Sequence, residues 1–272
     1  MKSLIKVEWM KMRKYNAFWW IMGLTAAAYP GIIYIFYFAY KDLVSKKNET
    51  GQIMKMAIGN PFSFPETWHT VTYASSIFVF IPAVVIIMFI TNEYSYKTHR
   101  QNIIDGWSRN QFITSKLADV LIITLIITCL SFIISLVVGI ANQERLIKET
   151  WDQSYYIGLF ALQTFSQLSI AFLIGFLIRK AFIALGVFLG YYIMIENIMV
   201  GLSYRYLNDI GRFLPLEMSD RMIPPPAFWG KINPDAYKQA IDHIPQFVLL
   251  TVLFTSLIWF ICYRVNNKRD LK

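Results

Sequence analysis

Glu196 occupies a position in this sequence that is typical of a transport or proton-coupling carboxylate. It lies in an otherwise apolar run, close to Tyr192 and Asn197. An ionisable side chain inside a membrane is costly, and it usually faces a bundle interior or a water-filled cavity. These three residues are therefore candidates for lining a transport path. The alternative is structural: Glu196 is neutral, or it is paired with a neighbour such as Arg205.

Motifs for hydrolytic chemistry are absent from the sequence. It has no G-x-x-x-x-G-K-[ST] phosphate loop, no H-E-x-x-H zinc pair and no G-x-S-x-G nucleophile elbow. The histidines His69, His99 and His243 have no partner at metal-ligand spacing, and Cys129 and Cys262 are interpreted as buried thiols. We therefore expect no catalytic residue, no metal site and no ATPase activity in this chain.

The polar segment 93–116 is long for a connector. It has 24 residues, whereas neighbouring helices can be joined by about 2–8. Within it, Ile103, Ile104 and Trp107 can share one helical face, and Gly106 permits a bend. This pattern predicts a surface that docks a partner; a solvated loop whose aromatic residues rest on lipid is the alternative. The candidate docking residues are Lys97, Arg100, Ile103, Ile104, Trp107, Ser108, Arg109 and Phe112.

The elements that position these residues are predicted to be membrane-spanning helices. The chain is 56% hydrophobic and 16% charged, against about 45–50% and about 25% in soluble proteins. A helix needs about 20 mainly apolar residues to cross a bilayer. We therefore predict an all-α membrane protein with one transmembrane domain over 1–272. The six predicted spans are 17–40, 71–92, 117–141, 155–178, 181–202 and 246–263.

The segments outside these spans also have distinct patterns. Residues 1–16 mix basic and apolar side chains, which favours an amphipathic helix at the membrane interface. Residues 203–245 combine prolines with apolar residues, which favours short helices that dip into the outer leaflet or cap a pathway, separated by turns. Gly186 and Gly190 form a Gly-x-x-x-Gly pair that lets helix backbones pack closely, within one chain or between two.

The distribution of basic residues predicts the orientation. With the N-terminus inside, the inner segments carry 15 lysines and arginines in 51 positions and the outer loops carry 11 in 86. Basic residues in short loops are retained on the cytoplasmic side, so both termini are expected there. The net charge of +9 is spread over separate segments, which argues against nucleic-acid binding and fits contact with anionic lipid.

The order of these features resembles an ABC-2 type permease, the membrane subunit of a type V ABC exporter. The resemblance extends over nearly the whole chain, and its local match is the segment 93–116. Trp107 stands where the family usually has a proline. The matching positions are Glu93, Lys97–Thr98, Ile103–Ile104, Ser108–Arg109, Phe112 and Lys116.

The resemblance implies a mechanism that needs partners. Segment 93–116 would contain a coupling helix that inserts into a separate ABC ATPase subunit, which would hold ATP and Mg²⁺, so this chain itself would bind no cofactor. A second permease chain would complete the path, as a homodimer or with a homologous partner. The loop 203–245 would form external re-entrant helices. The expected location is a cell membrane, namely the bacterial inner membrane, with several passes through it.

Two other functions remain open from the residues alone. A channel or secondary carrier would work without ATP and would need Glu196. A non-transporting anchor or sensor subunit would have a partner but no substrate-dependent ATPase activity.

Overall fold

The computed structural model describes residues 2–45, 59–143, 148–226 and 234–268, and these residues form helices joined by turns, with no strand among them. Position 1, positions 269–272 and positions 227–233 of the predicted loop 203–245 lie outside the described residues. In chain order the helices are α1, Lys2–Lys14; α2, Asn16–Ser45; α3, Glu66–Ser76; α4, Phe80–Ser95; α5, Thr98–Ile104; α6, Arg109–Ala141; α7, Tyr155–Ile178; α8, Ala181–Tyr206; α9, Pro215–Asp220; α10, Pro234–Asp242; and α11, Ile244–Lys268.

Five of these helices, α2, α6, α7, α8 and α11, are long and apolar enough to cross a membrane. The α3–α4 pair passes the same test as one unit, with a bend of 48° between its halves. Pro82 is the third residue of α4. Its ring has no N–H to donate and clashes with the carbonyl four residues earlier, that of Phe78, so the helix is interrupted just before it. The predicted six spans are therefore reached when this bent pair counts as one.

Helix α7 is the centre of the bundle. Of its most apolar stretch 56% is buried, against 17% for α2 and for α8. It packs against α3, α4, α6, α8, α9 and α11. Gly175 allows the closest approach, because a Cβ atom there would lie 2.6 Å from Ile90 Cγ2 and 3.4 Å from Ile87 Cα. The other spans are arranged around α7, and the poorly buried ones leave apolar faces outward.

The bundle has two ends, which we call the α5 end and the α9 end. At the α5 end, Arg109 Nη1 donates to the carbonyl oxygen of Asn267 at 2.9 Å and joins the start of α6 to the end of α11. At the α9 end, Trp68 Nε1 donates to the carbonyl oxygen of Thr150 at 2.7 Å. Also at this end, a 3₁₀ turn at Ile210–Phe213 lies between α8 and α9, and the short helices α9 and α10 belong to the same proline-containing loop.

Candidate functional site

The predicted coupling segment is shorter in the structure than in the sequence-based prediction. Positions 93–95 are the last turn of α4, and 109–116 are the first turns of α6. Ser108 is the N-cap of α6 and forms a capping box with Gln111. The part outside the long helices is therefore 96–108, and it contains the seven-residue helix α5.

Apolar side chains are exposed on this segment. Tyr96 is 75% exposed and Ile104 is 77% exposed. Ile103 and Trp107 are partly exposed, and Lys97 is exposed beside them. These five residues form what we call the docking surface. Soluble proteins rarely leave such large apolar groups together on their surface without a function, which makes this surface the candidate docking site of the segment.

One expectation about this surface is wrong in its geometry. Ile103, Ile104 and Trp107 do not share a helical face, because α5 ends at Ile104. Gly106 has φ of +98°, a conformation that favours glycine, and it turns the chain before Trp107. Trp107 instead lies 5.9 Å from Lys11 Nζ, measured to the ring centroid, and so covers helix α1.

The other four candidate docking residues are buried, partly buried or engaged in contacts within the chain. Phe112 is 1% exposed and belongs to the hydrophobic core. Ser108 caps α6, and Arg109 joins α6 to α11. Arg100 is partly buried. Burial removes Phe112 from any contact with a partner, and the contacts of Ser108 and Arg109 give them structural roles.

A buried ion cluster lies behind the docking surface. Lys116 is 3% exposed, and its Nζ lies 2.5 Å from Glu8 Oε2, 2.8 Å from Glu93 Oε1 and 3.4 Å from Asp119 Oδ2. Lys11 Nζ joins the same acids, at 3.2 Å from Glu8 and 2.9 Å from Glu93. The cluster therefore joins α1, α4 and α6 through three carboxyl groups and two ammonium groups.

Helix α5 is attached directly to this cluster. Thr98 Oγ1 donates to Glu93 Oε2 at 2.5 Å. His99 is buried, and its Nδ1 lies 2.9 Å from the carbonyl oxygen of Glu93. The first turn of α5 thus contacts both the side chain and the backbone of one cluster member. A displacement of α5 would strain the cluster at Glu93.

The two ammonium groups of the cluster stabilise the charged form of Glu8. Burial alone would raise the pKa of Glu8, but the ammonium groups of Lys116 and Lys11 outweigh it and lower that pKa. Glu8 is therefore ionised at neutral pH. Buried charges of this kind are tolerated when each has an oppositely charged partner.

Sequence analysis missed Glu8, Lys11 and Asp119 as members of a site. Two signals were present: Glu8 and Lys11 are three residues apart, as are Lys116 and Asp119, and each pair interrupts an apolar face. Residues at that spacing are neighbours on a helix. The long-range pairing of Glu8 with Lys116 has no signal in one sequence.

The members of the second candidate group, Glu196, Tyr192 and Asn197, have separate hydrogen-bond partners in the structure. Glu196 is buried, and its Oε1 accepts hydrogen bonds from the backbone N–H groups of Leu216 at 2.7 Å and Glu217 at 2.8 Å. It therefore caps the first turn of α9. This also corrects the alternative of pairing with Arg205, which is exposed.

The other two members of this group point to different surroundings. The Tyr192 hydroxyl donates to Gln167 Oε1 of α7 at 3.3 Å. Asn197 is exposed, and its Nδ2 donates to the carbonyl oxygens of Tyr192 and Ile193 in its own helix. Those carbonyls belong to a π turn at Tyr191–Ile195, where the Glu196 N–H reaches the oxygen of Tyr191. Wider turns of this type are frequent near functional sites.

Gly186 and Gly190 face open space within this chain. A Cβ atom at either position would meet nothing within 4 Å. The packing predicted for them is therefore not made to another helix of the same described chain. Their helix, α8, also exposes Phe182, Val187 and Met194.

Comparisons with known proteins bear on the first two thirds of the chain. A family model described as ABC-2 family transporter protein matches residues 4–195. The match includes most of α1, the docking surface and all five members of the ion cluster. Searches of curated proteins and of solved structures found no match.

Proposed function

Because the chain belongs to the ABC-2 transporter family, we propose that it is the permease subunit of an ATP-driven exporter, with a separate ABC ATPase subunit bound at the docking surface. The observation that carries this proposal is the bonding of the exposed helix α5 to the buried ion cluster at Glu93. This attachment links the exposed segment to α1, α4 and α6 through the charges that meet at Glu93.

The contacts suggest how force would pass from the ATPase to the spans. The partner would hold ATP and Mg²⁺ and would move against Tyr96, Ile104 and Trp107. Thr98 and His99 would carry this motion to Glu93 at the end of α4. Lys116 would then carry it to α6 and α1, because it binds Glu93 and Glu8 together.

A second permease chain completes the proposal. Helix α8 is sparsely buried, and its Gly186 and Gly190 face open space. They leave a stripe of small residues on one side of the bundle, where a second helix could approach closely. Small residues at this spacing favour close helix pairing in membranes. In this arrangement both termini and the docking surface face the cytoplasm, and α9 and α10 lie at the outer side.

The first test is co-purification of the tagged chain in mild detergent, followed by mass spectrometry. We expect a stoichiometric partner that contains a G-x-x-x-x-G-K-[ST] loop. The double variant Ile104→Asp/Trp107→Asp should lose this partner while it still inserts into the membrane. A matched control at the α9 end is Tyr206→Asp/Ile210→Asp, because these side chains are also exposed, at 76% and 62%.

Two results would contradict the docking proposal. One is retention of the partner by the Ile104→Asp/Trp107→Asp variant at the level of the control. The other is a preparation from lipid nanodiscs that transports without any ATPase, which would favour a channel or secondary carrier.

A further inference from the structure

A cavity of about 470 Å³ opens at the α9 end of the bundle. Its walls come from α3, α9, α10 and the start of α11, and Tyr73 and Phe247 supply aromatic surface. Ligand sites in proteins commonly have volumes of about 300–1,000 Å³. The cavity is thus large enough for a small polar molecule. It lies outside the residues that match the family model, apart from Tyr73.

Three of the charged residues that line this cavity bind one another. The Arg221 guanidinium forms a fork with Asp209, at 3.0 and 3.1 Å. The same side chain donates to Glu217 at 2.6 Å. These three residues therefore fix part of the cavity wall, and the Arg221 guanidinium is already bound to two carboxylates.

Asp220 is different, because the described residues place no cation within ion-pair distance of it. Its Oδ1 accepts from Gln163 Nε2 at 2.6 Å and from Gln167 Nε2 at 2.7 Å. Both glutamines are fully buried in α7. The carboxyl group is thus held from the membrane side by two amides, while the residue stays open to the cavity.

The surroundings make this carboxylate a strong acceptor for a positive charge. Burial of the carboxyl group raises the pKa of Asp220 to about 7, although two amide N–H groups oppose the rise. A carboxylate that is costly to ionise alone gains most from a cation brought beside it. The two amides fix its position in advance, so a ligand would not have to order it.

Arg212 supplies the opposite charge in the same cavity. Its guanidinium lies 4.8 Å from the Phe213 ring centroid, and it forms no ion pair with an acid in the described part of the chain. One free carboxylate and one free guanidinium in a common cavity suit a ligand that carries both signs of charge.

We propose that this cavity binds a zwitterionic ligand whose ammonium group contacts the Asp220 carboxylate and whose anionic group contacts Arg212. A phosphate ester of an amino alcohol has this chemistry. It occurs as a free compound and as the headgroup of an aminophospholipid. The site does not depend on an ATPase partner, so it can be tested on the isolated chain.

The experiment uses the full chain in nanodiscs made of phosphatidylglycerol, with phosphoethanolamine as the soluble probe. We expect saturable binding to the wild-type protein and none of glycerol, a neutral molecule of similar size. Asp220→Asn keeps an oxygen that accepts from both glutamines but removes the charge, so it should weaken binding at least about tenfold. Arg212→Gln should weaken it by a similar factor. The matched control is Asp235→Asn, which removes an exposed acid from α10.

A second arm identifies the source of the ligand. The chain is reconstituted with equal phosphatidylethanolamine and phosphatidylglycerol, and retained lipids are counted by native mass spectrometry. Selective retention of phosphatidylethanolamine that Asp220→Asn abolishes supports a lipid headgroup. Binding of free phosphoethanolamine without lipid retention supports a soluble compound.

Failure has equally clear signatures. Wild-type protein that binds neither probe overturns the proposal, and so does Asp220→Asn protein that binds as the wild type does. If Asp220→Asn protein does not fold, Asp220→Glu is used in its place, because it keeps the charge. Equal binding of phosphoethanolamine and glycerol by Asp220→Glu protein or by the wild type would also overturn the proposal.

Discussion

Replacing Lys116 with methionine should destabilise the protein far more than the same replacement at Lys11. Lys116 is 3% exposed and contacts three carboxyl groups. The Lys11 side chain is 34% exposed and contacts two of the same acids. Removing one partner of a buried ion pair costs about 3–5 kcal/mol, whereas an exposed pair contributes about 0–1 kcal/mol.

The difference is large enough to measure. Since about 1.4 kcal/mol is a factor of ten, Lys116→Met should lower the folded-to-unfolded ratio by roughly 10²–10⁴-fold. Lys11→Met should lower it by less than about tenfold. The assay is reversible unfolding in mixed micelles, with tryptophan fluorescence as the readout.

A double variant tests the cause of the loss. Lys116→Met leaves Glu8 buried next to Glu93 with less compensation. Adding Glu8→Gln removes one of these charges, so the double variant should regain at least about 1 kcal/mol relative to additivity. Equal losses for Lys116→Met and Lys11→Met, or strict additivity in the double variant, would refute the view that Lys116 holds the cluster together.

Three further predictions follow from other contacts. Gly175→Leu should destabilise the protein by about 1–3 kcal/mol by overpacking against Ile90, while Gly186→Leu should leave the stability of the isolated chain unchanged. Thermal unfolding of both variants checks this, and an equal loss of stability in the two would contradict it. Glu196→Leu should lower the free energy of unfolding by about 1–3 kcal/mol, because it leaves two backbone N–H groups of α9 without their acceptor. Glu196→Gln should retain both stability and transport. Loss of transport in Glu196→Gln would instead favour a carrier mechanism. Burial raises the pKa of Asp220 to about 7 from its usual 3.8. Its protonation in the folded protein should therefore add stability as pH falls from 7 towards 4, and this stability should be lost as pH rises through 7. Asp220→Asn should flatten this part of the plot of unfolding free energy against pH, and an unchanged plot would contradict the assignment.

The long apolar runs made the spans readable from the sequence, but not their ends. Helix α6 begins at Arg109, eight residues before the predicted span at 117. The polar turn at its start is helical because Ser108 and Gln111 cap it. Apolar content indicates which residues can lie in the bilayer, whereas the end of a helix depends on local hydrogen bonds.

The site was predictable only where its residues are close in sequence. The exposure of Ile104 and Trp107 followed from a polar segment that contained large apolar side chains. Glu8 and Lys116 are 108 positions apart, and their contact depends on how α1 lies against α6. Phe112 lies in the same polar segment as these apolar residues, yet helix α6 turns its side chain inward.

The π turn in α8 sets the direction in which the second half of that helix faces. Each residue of an α-helix advances the direction of its side chain by about 100°, so one extra residue in a regular helix would turn everything after it by that angle. A π turn contains one residue more than an α-helical turn needs and takes up this extra rotation. If Tyr191–Ile195 kept its length but formed regular α-helical turns, Glu196 would turn away from the N–H groups of α9. The wide turn is therefore as much a requirement for the capping of α9 as the carboxylate itself.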